Sequence, residues 1–351
     1  MNSETESSQT GIPSNLIRRW HEPKPEEIGH SIDEFIKILG QPTLISIEGS
    51  DNNRTRVIST LLHGNEPSGL HAVFNWIKSG EKPATNVHFF IGAVEAALEA
   101  PGFFFRQLPG EKDLNRCFKA PFDEYQGQIA EAFLALLHET KPECLIDIHN
   151  TSGCGPSFAV SIRNDLPHQT LVSHFTDRVI VTDLRLGALM ELSERDVPTI
   201  TFECGGAQEE RSHEIATERV ALFLQRYDVF EEPSVDWGLE ILHNPIRVEL
   251  KSDATIAYSL APVEGVDVTL PPDIEHLNFG LMGTHIQLGW LGPKGLDCFN
   301  VVTHEGVNVT HDILIAKENC FFPAQPLKAF MITTNATIAK SDCLFYAVKM
   351  R

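Results

Sequence analysis

Three short apolar runs in this chain each end on a side chain able to bind a cation or move a proton, and the stretches between them carry helical periodicity. Residues 56–62 lead into His63, Gly64, Asn65 and Glu66; residues 145–148 lead into His149; residues 199–202 lead into Glu203. Runs of this length, bounded by Gly, Pro and Asn, read as strands. Between them, Leu70, Val73, Phe74 and Ile77 share one face of a helix over 68–78. Ile129, Phe133, Leu136 and Leu137 do the same over 126–138, where Pro142 closes the helix. Ile32, Phe35, Ile36 and Leu39 predict an earlier helix stopped by Gly40, and a last one over 209–227 carries Ala216, Val220, Phe223, Leu224 and Tyr227 on one face. With further strands at 43–48 and 87–92, the alternation predicts an α/β fold: a mixed, mostly parallel sheet with helices on both faces.

In such sheets ligands bind beyond the carboxyl ends of the strands, so groups delivered there from distant segments converge. His63, Glu66 and His149 form the donor set of a catalytic zinc, which takes three protein ligands and keeps a further position for water. Pro67 holds Glu66 on the turn, because a residue before Pro is steered away from helical angles while Pro itself suits the first helical position. A lone strand-end His is ordinarily a structural residue and a Glu before Pro is often only a helix cap. The ordered set of His-x-x-Glu, a later His and a still later Glu outweighs those single readings. Asp147, two residues before His149 on the same strand face, could hold the free ring N–H of a ligand imidazole, or serve as a local cap.

The segments His63–Gly69, Asp113–Phe118, Asp147–Gly153 and Phe202–Gly206 resemble the four motifs of the succinylglutamate desuccinylase/aspartoacylase family of zinc hydrolases, which are related to the carboxypeptidases. The resemblance covers about residues 43–228, and the order across four motifs is far more specific than any one of them. It implies one zinc per chain on His63, Glu66 and His149, and Glu203 as general acid and base. It implies Arg106 as the group polarising the scissile carbonyl, though its spacing to Asp113 is longer than the family's. Asn115 and Arg116 are implied as the clamp for a substrate carboxylate, which a planar guanidinium grips through two parallel bonds. The implied reaction is hydrolysis of the amide bond of an N-acyl amino acid. Arg163, Arg178, Arg185 and Arg195 lie where relatives carry another carboxylate-binding Arg, and none stands out. Ser152–Pro156 and Leu184–Gly187 match no subfamily signature, so the acyl group and amino acid stay open.

The net charge of −20 excludes a nucleic-acid partner, which needs clustered Lys and Arg. It leaves room for a small substrate with a carboxylate, since physiological salt screens distant charge within about 8 Å. No apolar stretch of about 18 residues predicts a membrane helix, and the polar, acidic start has no signal-peptide pattern. Seven scattered cysteines without a CxxC pair suit a reducing, cytoplasmic setting. Cys204, next to Glu203, reads as a small core residue rather than a nucleophile.

At 351 residues the chain exceeds a comfortable single core. The predicted division is a flexible N-terminal arm over 1–25, a zinc hydrolase domain over 26–231 and a β-rich domain over 232–351. In the last, short runs at 256–260, 299–303 and 329–333 are broken by Pro, Gly and Asp. A carboxypeptidase acting on short peptides would use the same residues, a scaffold that only binds is the third reading, and a homo-oligomer is left open.

Overall fold

The computed structural model of the protein describes residues 16–195, 197–231, 238–341 and 343–350. The first elements are β1 (Arg18–His21), α1 (Ile32–Leu39), β2 (Thr43–Ile47), β3 (Asp51–Thr60), α2 (Ser68–Ser79), β4 (Thr85–Ile91), α3 (Val94–Leu98), α4 (Tyr125–Thr140) and β5 (Cys144–Thr151). They are followed by β6 (Phe158–Ser161), α5 (Leu166–Ser173), β7 (Arg178–Val181), β8 (Thr199–Gly206), α6 (Glu210–Gln225) and β9 (Glu240–His243). Among the described residues these strands form one sheet ordered β1-β2-β4-β3-β5-β8-β6-β7-β9. Six of its eight neighbouring pairs are parallel, and only β2 with β4 and β6 with β8 run antiparallel. This is the mixed, mostly parallel sheet that the alternation predicts.

The strand period of two sorts the side chains onto two faces. Ile58, Ile146, Ile148, Ile200 and Phe202 join residues of α1, α2, α5 and α6 in one core. Val57, Phe90 and Leu145 join Ile129, Phe133, Leu136 and Leu137 of α4 on the other side, together with Leu114 and Leu189 from two 3-10 helices, Leu114–Arg116 and Leu189–Arg195. The helices start and stop for local reasons. Ser31 accepts from the Glu34 N–H at the head of α1, and Gly40 ends that helix at φ 68°. The end of α6 and the residues just beyond it are met by a fully buried cation: Arg56 donates to the carbonyls of Phe223, Arg226 and Tyr227 at 3.0, 2.7 and 2.9 Å and pairs with Glu143 at 2.6 Å.

Beyond Ile246 the chain forms two five-stranded sheets around a separate core. Strands Ile256–Tyr258 and Phe299–Val302 fall where short β-like runs are predicted, whereas Leu327–Phe330 overlaps the predicted run 329–333 only at the first two residues of that run. An aromatic chain joins this β-rich part to the large sheet: Phe158 of β6 packs on Phe279 and Phe330 with ring centroids at 5.0 and 6.2 Å, and Phe330 stacks on Tyr346.

The predicted divisions meet the structure unevenly. Residues 1–15 of the expected arm lie outside the described residues, but Arg18–His21 of that arm form β1, paired in parallel with β2. Ile17 and Trp20 pack into the cores on opposite sheet faces, a signal too short to stand out beside the polar start. The boundary at 231–232 abuts residues 232–237, also outside the described residues, and Glu240–His243 still adds a strand to the large sheet. No described helix is long and apolar enough to cross a membrane, and Cys117, Cys144, Cys154, Cys204, Cys298 and Cys320 form no disulfide.

Candidate metal and catalytic site

β3 stops because Leu61 takes a left-handed conformation, φ 53°, unusual for a branched side chain and a point of local strain. The chain then turns through His63–Glu66, and Glu66 N–H donates to the His63 carbonyl at 3.2 Å. Pro67 stands at the N-cap of α2 with φ −83°, one residue earlier than the first helical position expected for it. Gly64 lets the segment that carries Arg106 come close. Its N–H donates to the Arg106 carbonyl at 2.8 Å, and a Cβ there would stand 2.7 Å from the Phe105 carbonyl oxygen.

His149 arrives from the neighbouring parallel strand β5, and Glu203 on β8 is its direct register partner. His63 Nδ1 and His149 Nδ1 lie 2.8 and 2.7 Å from the two oxygens of Glu66. Each ring's Nε2 meets a second carboxylate: Asp113 Oδ1 at 3.0 Å from His63, and Asp147 Oδ2 at 2.8 Å from His149. All three predicted ligands are buried, and their donor atoms lie within 4.8 Å of one another.

This donor set fits a divalent cation such as zinc. It offers two imidazole nitrogens and one carboxylate, and each imidazole is steadied on its far side by an acid, the arrangement that fixes ring tautomers at metal centres. One oxygen of Glu203, Oε2, is buried without a hydrogen-bond partner, as is Oδ1 of Asp147. Buried polar atoms are seldom left so, and Glu203 is the register partner of His149.

The electrostatics follow from crowding acids and imidazoles in a dry place. Burial pushes the Glu66 carboxyl up, but the His63 and His149 imidazoles outweigh it and hold Glu66 well below the usual range. Asp113 behaves likewise: burial opposes its charge, and His63, Arg106 and Arg116 prevail. His149 is driven the other way, burial disfavouring its proton while Asp147 and Glu66 retain it well above the ordinary imidazole value. Glu203 is pushed up to about 7, first by burial and then by Glu66 and Asp147, against the lowering pull of His149 and His63.

The other predicted residues gather nearby. Arg106 binds Asp113 through Nη2 at 2.9 Å and reaches Glu66 through Nη1 at 3.5 Å. Asn115 is buried, its Nδ2 lies 3.4 Å from His149 Nε2, and its Oδ1 accepts from the Leu189 N–H at 2.9 Å. Arg116 is exposed and donates to the Asn115 carbonyl at 2.8 Å. Asp113 joins His63 to Arg106, a link that strand and helix patterns cannot reveal. Asn150 was also missed: its N–H reaches Glu66 Oε2 at 3.2 Å, and its amide bridges Ser68 and the Gly205 carbonyl. Its only signal was adjacency to His149.

Of the four further arginines, Arg163 follows β6, which runs antiparallel to β8, so it lies toward the sheet end away from Glu203 and pairs with Asp165. Arg178 pairs with Asp177, and Arg185 with Glu194. The Arg195 side chain is outside the described residues. Cys204 is a buried core residue whose thiol burial pushes well up.

Residues 52–226, about half of the chain, match the model of the succinylglutamate desuccinylase/aspartoacylase catalytic domain. A search of curated protein sequences gave no match. Among solved structures, the chain is similar to a succinylglutamate desuccinylase/aspartoacylase from Rhodobacter sphaeroides, with TM-score 0.56 at 13% identity over 87% of this chain and 88% of that one. Murine aminoacylase 3 gives TM-score 0.52 at 15% identity over 86% and 97%. The ectoine utilization protein EutE (DoeB) from Ruegeria pomeroyi gives 0.52 at 14% identity over 87% and 85%. At these identities the likeness is one of fold.

Proposed function

This chain belongs to the succinylglutamate desuccinylase/aspartoacylase family, and on that premise we propose that it is a zinc-dependent hydrolase cleaving the amide bond of an N-acyl amino acid. The observation that carries the reading is the convergence of His63, Glu66 and His149, with the unpartnered, buried carboxylate of Glu203 level with His149 on the next strand. His63, Glu66 and His149 would hold the ion. Bound zinc supplies Lewis acidity, which acidifies water and draws charge onto the carbonyl oxygen.

The chain's own groups supply the rest. Glu203 takes the proton of the attacking water and returns it to the leaving amine nitrogen, and a carboxyl that burial lifts toward neutrality suits both directions of transfer. Arg106, already turned toward Glu66, donates to the carbonyl oxygen as its negative charge grows, a contact that strengthens in the transition state. Arg116 receives the substrate carboxylate in its planar fork. Asn115 stands beside it, its amide held between His149 and Leu189, so it orients this corner of the cleft. Asp113 and Asp147 keep the two imidazoles in place. A cytoplasmic setting accords with Cys117, Cys144, Cys154, Cys204, Cys298 and Cys320 forming no disulfide.

The test is a screen of N-acyl amino acids beside short peptides with zinc-loaded protein and its Glu203→Gln variant. The reading expects hydrolysis of one or more N-acyl amino acids, and a loss of 10²–10⁴-fold in the variant with zinc retained. Preference for peptides would move the protein to the carboxypeptidase side. Turnover that survives chelation, or survives Glu203→Gln, would overturn the mechanism.

A further inference from the structure

Residues 152–157 leave β5 after Thr151 and enter β6 at Phe158, and β8 lies between those two strands. The loop must therefore cross the carboxyl end of β8, where Glu203 sits. It crosses closely: a Cβ on Gly205 would meet the Gly155 carbonyl oxygen at 2.9 Å, and Phe158 lands level with Glu203.

The β-rich part of the chain fastens this crossing. Glu275, in the 3-10 helix Ile274–Leu277, accepts the Cys154 N–H on Oε2 at 2.8 Å. Its other oxygen, Oε1, accepts the N–H and hydroxyl of Thr334 at 2.7 and 2.6 Å. Asn278 adds a second tie, donating to the Cys154 carbonyl at 2.7 Å and accepting from the Ile332 N–H at 2.8 Å. The two backbones touch at Gly153, where a Cβ would stand 2.2 Å from the Ile332 carbonyl oxygen.

We propose that Glu275 is a positioning residue that sets the width of the substrate cleft, by fastening the loop that crosses over Glu203 to the segment 332–335 of the β-rich part. The proposal rests on the amide-hydrolase reading. A carboxylate is the group this place requires, because three donors from two loops point at it and only an ionised acid accepts on both oxygens. Gln has the same size but one accepting oxygen, so its NH₂ would face a donor on one side. Asp keeps both acceptors and is one methylene shorter. Removing one arm frees the loop while leaving His63 and Glu66 on their turn and His149 and Glu203 on their strands.

The test compares zinc-loaded wild type with Glu275→Gln, Glu275→Asp and Thr334→Val on the best N-acyl amino acid, alongside amide hydrogen exchange. Glu275→Gln is expected to raise KM about tenfold with kcat within about twofold and zinc content unchanged. Glu275→Asp recovers part of that loss. Thr334→Val, which removes only a hydroxyl and spares the fold, shifts KM the same way by about twofold. Peptides covering 152–157 and 332–336 lose protection together in Glu275→Gln, while α4 is unaffected. An unchanged KM with both peptides still protected overturns the proposal. So does a fall in kcat and in thermal stability at constant KM, the signature of a merely structural residue. Should wild type cleave no N-acyl amino acid, the reading of the reaction fails, and exchange alone then judges the clasp: protection lost from only one of the two peptides would overturn it.

Discussion

Replacing Asp147 by Asn isolates the contribution of one buried charge to the proposed metal centre. Asp147 is fully buried on β5, with Oδ2 2.8 Å from His149 Nε2 and Oδ1 unpartnered. Its register partners are Ser59 on β3, whose hydroxyl also lacks a partner, and Thr201 on β8. Asn has the same shape. Its oxygen can still accept the Nε2–H, and its NH₂ can donate to Ser59, so ring orientation and packing survive. What disappears is the negative charge that makes Nδ1 a stronger donor. Losing the outer partner of a metal-bound His typically weakens affinity 10–100-fold, about 1.4–2.7 kcal/mol. Zinc affinity from competition with a coloured chelator at pH 7.5 should fall by that factor. Metal-free protein should lose no more than about 1–2 kcal/mol in urea, because Glu66 still faces the other side of the ring and the cost of burying one charge is relieved. Zinc affinity within threefold of wild type would refute the idea that Asp147 acts through His149 on a bound cation.

Arg116→Lys should raise KM for a carboxylate-bearing substrate about tenfold or more and leave kcat within threefold, because an ammonium cannot reproduce the paired bonds of the fork; an unchanged KM would place the carboxylate elsewhere. Arg56→Met, which strips the cap from α6 and leaves Glu143 with Arg54 alone, should lower urea stability by about 3–5 kcal/mol; a loss under 1 kcal/mol would show that solvent takes over the cap. The pH dependence of the metal-free protein carries the mark of Glu203. Its folded pKa, about 7, lies above the unfolded value of 4.5, so between those pH values the folded state holds more protons and stability falls as pH rises. The depressed carboxyls of Glu66 and Asp113 act only at lower pH, and the raised His149 only above its ordinary value of 6.5. The stability of wild type minus that of Glu203→Gln should thus drop by about 3 kcal/mol across the window, and a flat difference would contradict the burial of that charge.

The parts of this fold that sequence reveals are those with a long signal. β3, β5 and β8 are fully buried at their site ends, so apolar side chains dominate the runs that lead to His63, His149 and Glu203, with Ser59, Thr60, Asp147, Thr199 and Thr201 among them. α2, α4 and α6 carry their core residues at helical spacing over 12 or 16 residues. By contrast β1, β6, β7 and β9 have four residues each, too few for alternation to separate from chance, and β6 turns antiparallel to β8 because of a loop whose path no local pattern encodes. The same limit hid the partners of the site. Asp113 meets His63 across 50 residues and Glu275 meets Cys154 across 121, and both contacts depend on how the sheets are assembled. Asp147 was readable because its partner His149 lies two residues away on the same face of one strand.

The central claim is that His63, Glu66 and His149 enclose one zinc with Glu203 beside it. Anomalous diffraction at the zinc edge, from crystals of zinc-loaded protein, tests this most directly. The expected result is a single strong peak per chain enclosed by those three side chains. Absence of a peak there at saturating zinc, or a peak held by other residues, would contradict it.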